Sequence, residues 1–388
     1  MDKNPFRPGS GRMPPLLAGR DAVKDDINGL LQYLNEPSSG APRDIILYGP
    51  RGNGKTVLLQ WFKNNCNAGA GYTVLRITPS SSRSLKDQVM DGLGTTQAQV
   101  TTERSGSLGV KFLKAVGKRS VVKSSQAEPL VSYLIQQARQ NPLVLLVDEA
   151  HTMPADWGRE LLNASQEVRE EAPFLMVLAG TPGLKDRLGS MEATFWIRSK
   201  KIPLGRLDAS AAADAILTPL HTEGISLAPD VLTQVVAASQ HYPFFIQLWG
   251  AILWETAKKT ECTQIDQALL DEAWGAFNYE KGLLYQDCFD DITKKGVESA
   301  ALAVANAFGA RGEITTSELR NIVAGRPVNL DPPKEVLATI SALRELGYVW
   351  QGSEKSDWEP GIPSLMTYVQ TEAQKLTPDN SGDFSPGM

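Results

Sequence analysis

Short, uninterrupted apolar runs punctuate the first half of the chain: Ile45–Tyr48, Thr73–Ile77, Leu143–Val147, Leu175–Ala179 and Lys201–Leu204. Runs of this length, bounded by polar and turn residues, predict buried strands. Between them, apolar residues recur at helical spacing. Asp21–Asn35, for instance, carries Val23, Ile27, Leu30, Leu31 and Leu34 along one side of a helix. Strands alternating with helices predict an α/β fold: a doubly wound parallel sheet covered on both faces. From Leu207 to about Tyr285 the pattern turns helical, with helices expected at 209–223, 229–240, 243–258 and 265–280 and no strand run among them. A third segment opens near Asp290. Helices are expected at Gly296–Phe308, Thr315–Val323 and Pro333–Leu346, the second with Thr315 and Glu318 at capping-box spacing. Tyr348–Gln351 and Trp358–Pro360 then flank a polar turn, GSEKSD, before a last helix at Pro363–Lys375. Three helices and a small β-wing predict a winged helix.

These patterns divide the 388 residues into a Pro-, Gly- and Arg-rich arm (1–15) expected to be flexible, a core (16–206), a helical segment (207–286), the winged helix (287–376) and a tail (377–388) expected to be disordered. A hydrophobic fraction of 42% excludes a disordered chain. With 39 bases against 44 acids the net charge is −5, which excludes a uniformly basic nucleic-acid coat and leaves room for a local patch. One such patch exists: residues 101–127 hold six Lys and Arg against Glu103 alone, net +5, among small polar residues that predict an exposed insertion. Cys66, Cys262 and Cys288 lack C-x-x-C spacing, and only three His accompany them. A disulfide scaffold and a zinc finger are therefore not expected, and a reducing cytosol is the expected compartment. No apolar run approaches the roughly 18–20 residues of a membrane helix, and the first fifteen residues lack the apolar stretch of a signal peptide.

Candidate chemistry begins where strand Ile45–Tyr48 runs into Gly49-Pro50-Arg51-Gly52-Asn53-Gly54-Lys55-Thr56. This is G-x-x-x-x-G-K-T between a strand and a helix, the context a phosphate loop requires. Glycines let the backbone curl so that its N–H groups converge on phosphates, and the helix N-terminus adds its positive end. Lys55 can reach the β- and γ-phosphates, and the Thr56 hydroxyl can ligate Mg²⁺. A second motif, Leu143–Glu149, ends a buried strand in two acids. Asp148 is expected to hold Mg²⁺ through water, and Glu149 to polarise the attacking water. Asp148-Glu149-Ala150-His151 spells the DEAH of some helicases, but no second helicase core follows, so His151 is expected to be structural. Thr181, at the end of the fourth strand run, is a candidate γ-phosphate sensor or an ordinary turn cap.

In order and spacing the chain resembles the AAA+ ATPases, in particular the initiator (origin-recognition)-like and transposon target-selection-like branch. The resemblance implies ATP and Mg²⁺ as cofactors, slow ATP hydrolysis, a ring or filament of identical subunits, and a helical lid over 207–286. Gly19 and Arg20 match the box whose backbone cups adenine. Gly49–Thr56 match Walker A, Asp148 and Glu149 Walker B, and Thr181 sensor 1. The resemblance also implies an arginine finger before the fifth strand, acting in a neighbour's site; Arg198 is the first candidate and Arg187 the second. The lid departs from the family in lacking a sensor-2 Arg. Ser239–Phe245 looks instead like the Gly-x-Pro region of STAND-type ATPases, which places Pro243 near adenine and implies a nucleotide-held switch rather than a fast motor.

Two kinds of work are compatible with such a switch. The basic insertion, with Lys111, Lys114, Lys118 and Arg119, and the winged helix fit assembly on double-stranded DNA. Against this, the third helix of the winged segment sums to zero charge and residues 290–376 to −3, short of the basic face of a groove reader. The alternative is a regulatory ATPase that controls a partner protein without DNA.

Overall fold

The structure, a computed structural model, describes residues 3–9, 11–35, 44–68, 71–94, 129–192, 194–309, 311–328, 332–353 and 356–376. The insertion at 101–127, with its four candidate DNA-binding residues, and the tail at 377–388 lie outside the described residues.

The core runs α1 (Asp21–Asn35), β1 (Ile45–Tyr48), α2 (Lys55–Ala68), β2 (Thr73–Ile77), α3 (85–94), α4 (Leu130–Gln140), β3 (Leu143–Val147), α5 (Ala155–Glu171), β4 (Phe174–Gly180), α6 (Leu184–Met191), α7 (Phe195–Arg198) and β5 (Lys200–Pro203). All five strands are parallel, in the order β2-β3-β4-β1-β5. Successive side chains on a strand point to opposite faces. Leu143, Leu145 and Val147 therefore join Ile46, Met176 and Leu178 in one core, while Val144 and Leu146 join Ile45, Leu47, Val177 and Ala179 in another. Strands that must satisfy two cores cannot alternate in polarity, which is why they read as solid apolar runs. At the start of β1, buried Asp44 ties three elements together. It accepts the Met176 N–H of β4 (3.2 Å) and pairs with Arg169 of α5 (3.2 Å), while burial pushes its pKa up to about 6.

Beyond the core come α8 (Ala209–Thr222), β6 (Ser226–Leu227), α9 (Pro229–Ser239), α10 (Pro243–Thr260), β7 (Gln264–Ile265) and α11 (Gln267–Lys294). Asp208 and Asp266 cap α8 and α11 through the N–H groups of Ala211 and Leu269, and Pro229 and Pro243 open their helices at the first turn. Then follow α12 (Glu298–Phe308), α13 (Thr316–Ala324), α14 (Lys334–Glu345), an antiparallel β8 (Val349–Trp350) and β9 (Glu359–Pro360), and α15 (Leu365–Leu376). The expected capping box is formed at α13, where Thr315 and Glu318 exchange hydrogen bonds. Among the described residues no helix is long and apolar enough to cross a membrane.

Three features differ from the sequence reading. Ser226–Leu227 and Gln264–Ile265 pair in parallel inside the helical segment; two residues per strand are too few to leave a hydrophobic pattern. The boundary expected at 286/287 falls inside α11, a 28-residue helix that continues because Tyr285, Cys288 and Ile292 keep an apolar stripe buried. The segments on either side share one core, which runs from Trp249 and Phe277 to Phe308, Trp358 and Val369. Finally, the arm expected to be flexible is docked. Phe6 is buried in that same core, and Asn4 donates to the carbonyl of Ala251 on α10 (3.1 Å). One aromatic among Pro and Gly supplies the anchor that composition hid.

Trp249 is the keystone of the shared core, stacked on Phe277 at 4.2 Å and edge-on to Trp274 at 4.8 Å. Trp249→Ala is expected to cost about 3–5 kcal/mol, read as a shift of the denaturant midpoint.

Candidate functional site

The loop Gly49–Thr56 leaves β1 at the C-terminal edge of the sheet. There Gly49 donates to the carbonyl of Gly180 (3.3 Å) and packs so tightly on the backbone of Leu204 that a side chain has no room. Gly52 (φ +78) and Gly54 (φ +86) take left-handed conformations. A Cβ on Gly54 would meet nothing within 4 Å, whereas one on Gly52 would run into Tyr242 and Phe244. Lys55 is buried. Its Nζ donates to the carbonyls of Gly49 (2.8 Å) and Pro50 (2.7 Å), closing the loop around its own ammonium.

Across the loop stand the acids that end β3. Asp148 accepts from Thr56 Oγ1 (3.3 Å) and from the Glu149 N–H (3.0 Å), and pairs with Arg76 Nη2 at 2.6 Å. Arg76 was not singled out in the sequence, although one charge in the apolar strand TVLRI is a visible signal. Glu149 sits at φ 49, ψ 37, the left-handed region that a residue with a side chain occupies at a cost, and lines the cavity with half of its side chain exposed. Burial lowers the His151 pKa to about 4, helped by the charges of Lys55 and Arg51. The ring is neutral at pH 7. Its Nδ1 accepts the Thr181 N–H (3.4 Å), so its 3.4 Å approach to Glu149 Oε2 is no ion pair. Thr181 itself is buried on the cavity wall, and its hydroxyl has no hydrogen-bond partner.

The opposite wall joins the core to the helical segment. Arg20 donates to the carbonyls of Gly205 (2.7 Å) and Asn53 (3.3 Å), and burial lowers its pKa to about 10. Gly19 (φ +64) faces α8 instead of the cavity; a Cβ there would lie 2.8 Å from the Ala211 Cβ. Gln240 and His241 are both left-handed, which swings the chain so that the Tyr242 hydroxyl donates to the carbonyl of Arg51 and Pro243 lines the cavity. Tyr242 is a loop contact the sequence did not point to, because nothing local specifies it. The cavity enclosed by these walls measures about 740 Å³, within the range of small-molecule sites.

The C-terminal segment presses on the same loop. Arg51 pairs with Asp291 of α11 (2.9 Å), and Gly347 and Gly361 lie beside Pro50, where a Cβ on either would come within 3.5 and 3.4 Å of it. Helix α14 lies against the start of α6. Arg344 pairs with Asp186 (3.1 Å), and a Cβ on Gly183 would come within 2.7 Å of the Glu345 Cα.

The finger candidates are placed elsewhere. Arg198 precedes β5, whose Lys200 pairs with Ile45 at the start of β1, while the phosphate loop follows the end of β1. A strand of four residues, about 13 Å, separates it from its own chain's loop. It donates to Gln166 Oε1 (2.6 Å) and lies over the Phe195 ring, with its Nε and Nη2 buried and unpartnered. Arg187 is tied to the carbonyl of Met153 (3.1 Å).

The donors fit a nucleotide with its metal. A curled loop with open space above Gly54, a buried ammonium and an orphaned Thr181 hydroxyl suit a phosphate chain. Thr56 and Asp148 offer the hydroxyl and carboxylate that Mg²⁺ accepts when phosphates and water supply its other ligands. Among the described residues no cluster of three or more His, Cys, Asp or Glu offers a complete protein cage.

Residues 41–188 match the AAA_22 family of AAA domains. Over those residues the core is similar to AAA domains. Over nearly the whole chain the fold is similar to that of two solved structures. The Walker-type ATPase Paby2304 of Pyrococcus abyssi has a TM-score of 0.59 at 15% identity, over 90% of this chain and 95% of that one. The ORC2 protein of Aeropyrum pernix, solved as ADPNP–ADP complexes, has a TM-score of 0.56 at 13% identity, over 97% and 99%. Among curated proteins, the ATP-dependent zinc metalloprotease FtsH 2 of Salinibacter ruber is 23% identical over 167 residues, 37% of this chain. The match spans about a quarter of that protein's length, 24%.

Burial lowers the Lys55 pKa from 10.5 to about 8, against the pull of Glu149 and Asp148. Below pH 8 the site holds an ammonium; above it the ligand-free site holds an amine that an anion must reprotonate. Affinity for ATP, measured by calorimetry, is therefore expected to be level from pH 6.5 to 7.5 and to fall above pH 8, approaching roughly tenfold per unit. A Lys55→Arg variant should remove that dependence.

Proposed function

We propose that this chain is an ATP-binding and ATP-hydrolysing switch whose nucleotide state governs assembly of identical subunits. The observation that carries the reading is the convergence of Lys55, Thr56, Glu149 and Thr181 on one cavity bordered by the helical segment, with Asp148 behind it on the Thr56 hydroxyl. In this reading Lys55 holds the β- and γ-phosphates, Thr56 and Asp148 carry Mg²⁺, Glu149 orients the attacking water and Thr181 senses the γ-phosphate. Arg20 and Pro243 border the base. Arg198, too distant for its own site, serves a neighbour's; it must first leave Gln166, which makes hydrolysis depend on assembly. The A. pernix relative, solved with ADPNP and ADP, supports the choice of ligand.

Assembly on double-stranded DNA through Lys111, Lys114, Lys118 and Arg119 is the proposed setting, with a partner protein as the downstream target. The C-terminal winged helix enters this proposal as a reporter. Arg344 of α14 is committed to Asp186, so this helix reads the ATPase core in preference to a DNA groove.

Lys55→Ala should abolish ATP binding, and Glu149→Gln should bind ATP while trapping the assembled form, as read by calorimetry and light scattering. Wild-type hydrolysis by Glu149→Gln would refute its assigned role. Binding to random duplex should weaken steeply with salt and be lost when the four basic residues become Glu; indifference to DNA would favour the partner-only alternative.

A further inference from the structure

The first residues of the chain do more than dock. Phe6 lies directly over Gly250, where any Cβ would overlap its ring, and Asn4 holds the carbonyl of Ala251. Arg7 donates its N–H to Gln247 (3.4 Å). The chain then crosses from α10 to the phosphate loop. Gly9 (φ +72) passes Phe244, and a Cβ on Gly11 (φ +62) would sit 2.8 Å from Thr56 Cγ2. Arg7, Gly9, Gly11 and Arg12 form part of the same cavity wall as Lys55 and Thr56. Both glycines hold left-handed conformations that other residues resist, so the path over the loop is specified by sequence.

From this arrangement we infer that the N-terminal segment is a strap that retains the bound nucleoside triphosphate, with Phe6 as its anchor in the helical segment and Gly9 and Gly11 as its close passes beside the site. The inference rests on the nucleotide reading above and adds to it the element that sets residence time. Apolar burial holds the anchor whether or not ligand is present. Gly9, Gly11 and Thr56 line one cavity, so a ligand that packs against the strap there stabilises it and is retained by it in turn. Release then requires Phe6 to leave α10.

The test uses the full chain and a fluorescent N-methylanthraniloyl ATP analogue, chased with excess ATP in a stopped-flow instrument. Phe6→Ala removes the anchor, and Gly250→Leu expels it from the α10 side. Both are expected to speed dissociation about tenfold or more, with little change in the association rate. A purely structural role would lower the melting temperature and leave the off-rate alone. In the wild type, trypsin cleavage after Arg12 is expected to slow at least about fivefold when a non-hydrolysable ATP analogue and Mg²⁺ are bound; this readout holds if either variant fails to fold. Wild-type off-rates in both folded variants, or an Arg12 cleavage rate indifferent to bound nucleotide, would overturn the strap while leaving the nucleotide site standing. Failure of the wild type to bind the analogue at all would overturn both.

Discussion

A buried ammonium without an anion is the condition around which the molecule is arranged. Lys55 opens α2 where the loop after β1 closes, and its charge is met by two carbonyls of its own loop. Carbonyl dipoles answer such a charge only in part, and its lowered pKa is the sign of that shortfall. Asp148 and Glu149 are the nearest full negative charges, yet Asp148 is already committed to Arg76. The site is therefore short of negative charge, the condition that the proposed phosphate chain answers.

The same few residues are where the rest of the chain converges. The carbonyl of Arg51 takes the Tyr242 hydroxyl from the helical segment, and its side chain takes Asp291 from the helix that leads into the C-terminal segment. Pro50 is flanked by Gly347 and Gly361, and Thr56 by Gly11 of the arm. The helical segment, the C-terminal segment and the arm share one hydrophobic core. A displacement of the loop by a ligand is thereby felt by a body of packed helices, which is the mechanical requirement of a switch.

Much of this was legible in the sequence where the chemistry is local. The glycine spacing of 49–54, the strand before it and the helix after it are neighbours in the chain, so turn geometry follows from residue type. The five strands were visible because double-sided burial leaves runs without polar interruption. What escaped was partner choice across space. The pairing of Arg76 with Asp148, 72 residues apart, and of Tyr242 with Arg51, 191 apart, leaves no periodicity to find. The arm read as flexible because Pro and Gly outweigh a single Phe in composition, whereas one aromatic ring seated over a glycine is enough to fix a segment. The boundary at 286/287 followed a change in texture; the helix crosses it because its buried stripe does not stop there.

The account stands or falls on what Lys55 does when a triphosphate arrives. The most direct measurement is an experimental structure of the full chain with a non-hydrolysable ATP analogue and Mg²⁺. The account predicts Lys55 Nζ drawn away from the carbonyls of Gly49 and Pro50 onto the phosphates, with the metal between Thr56 and the Asp148 side of the cleft. An analogue bound elsewhere, or a phosphate chain in the loop with Lys55 still on its two carbonyls, would contradict it.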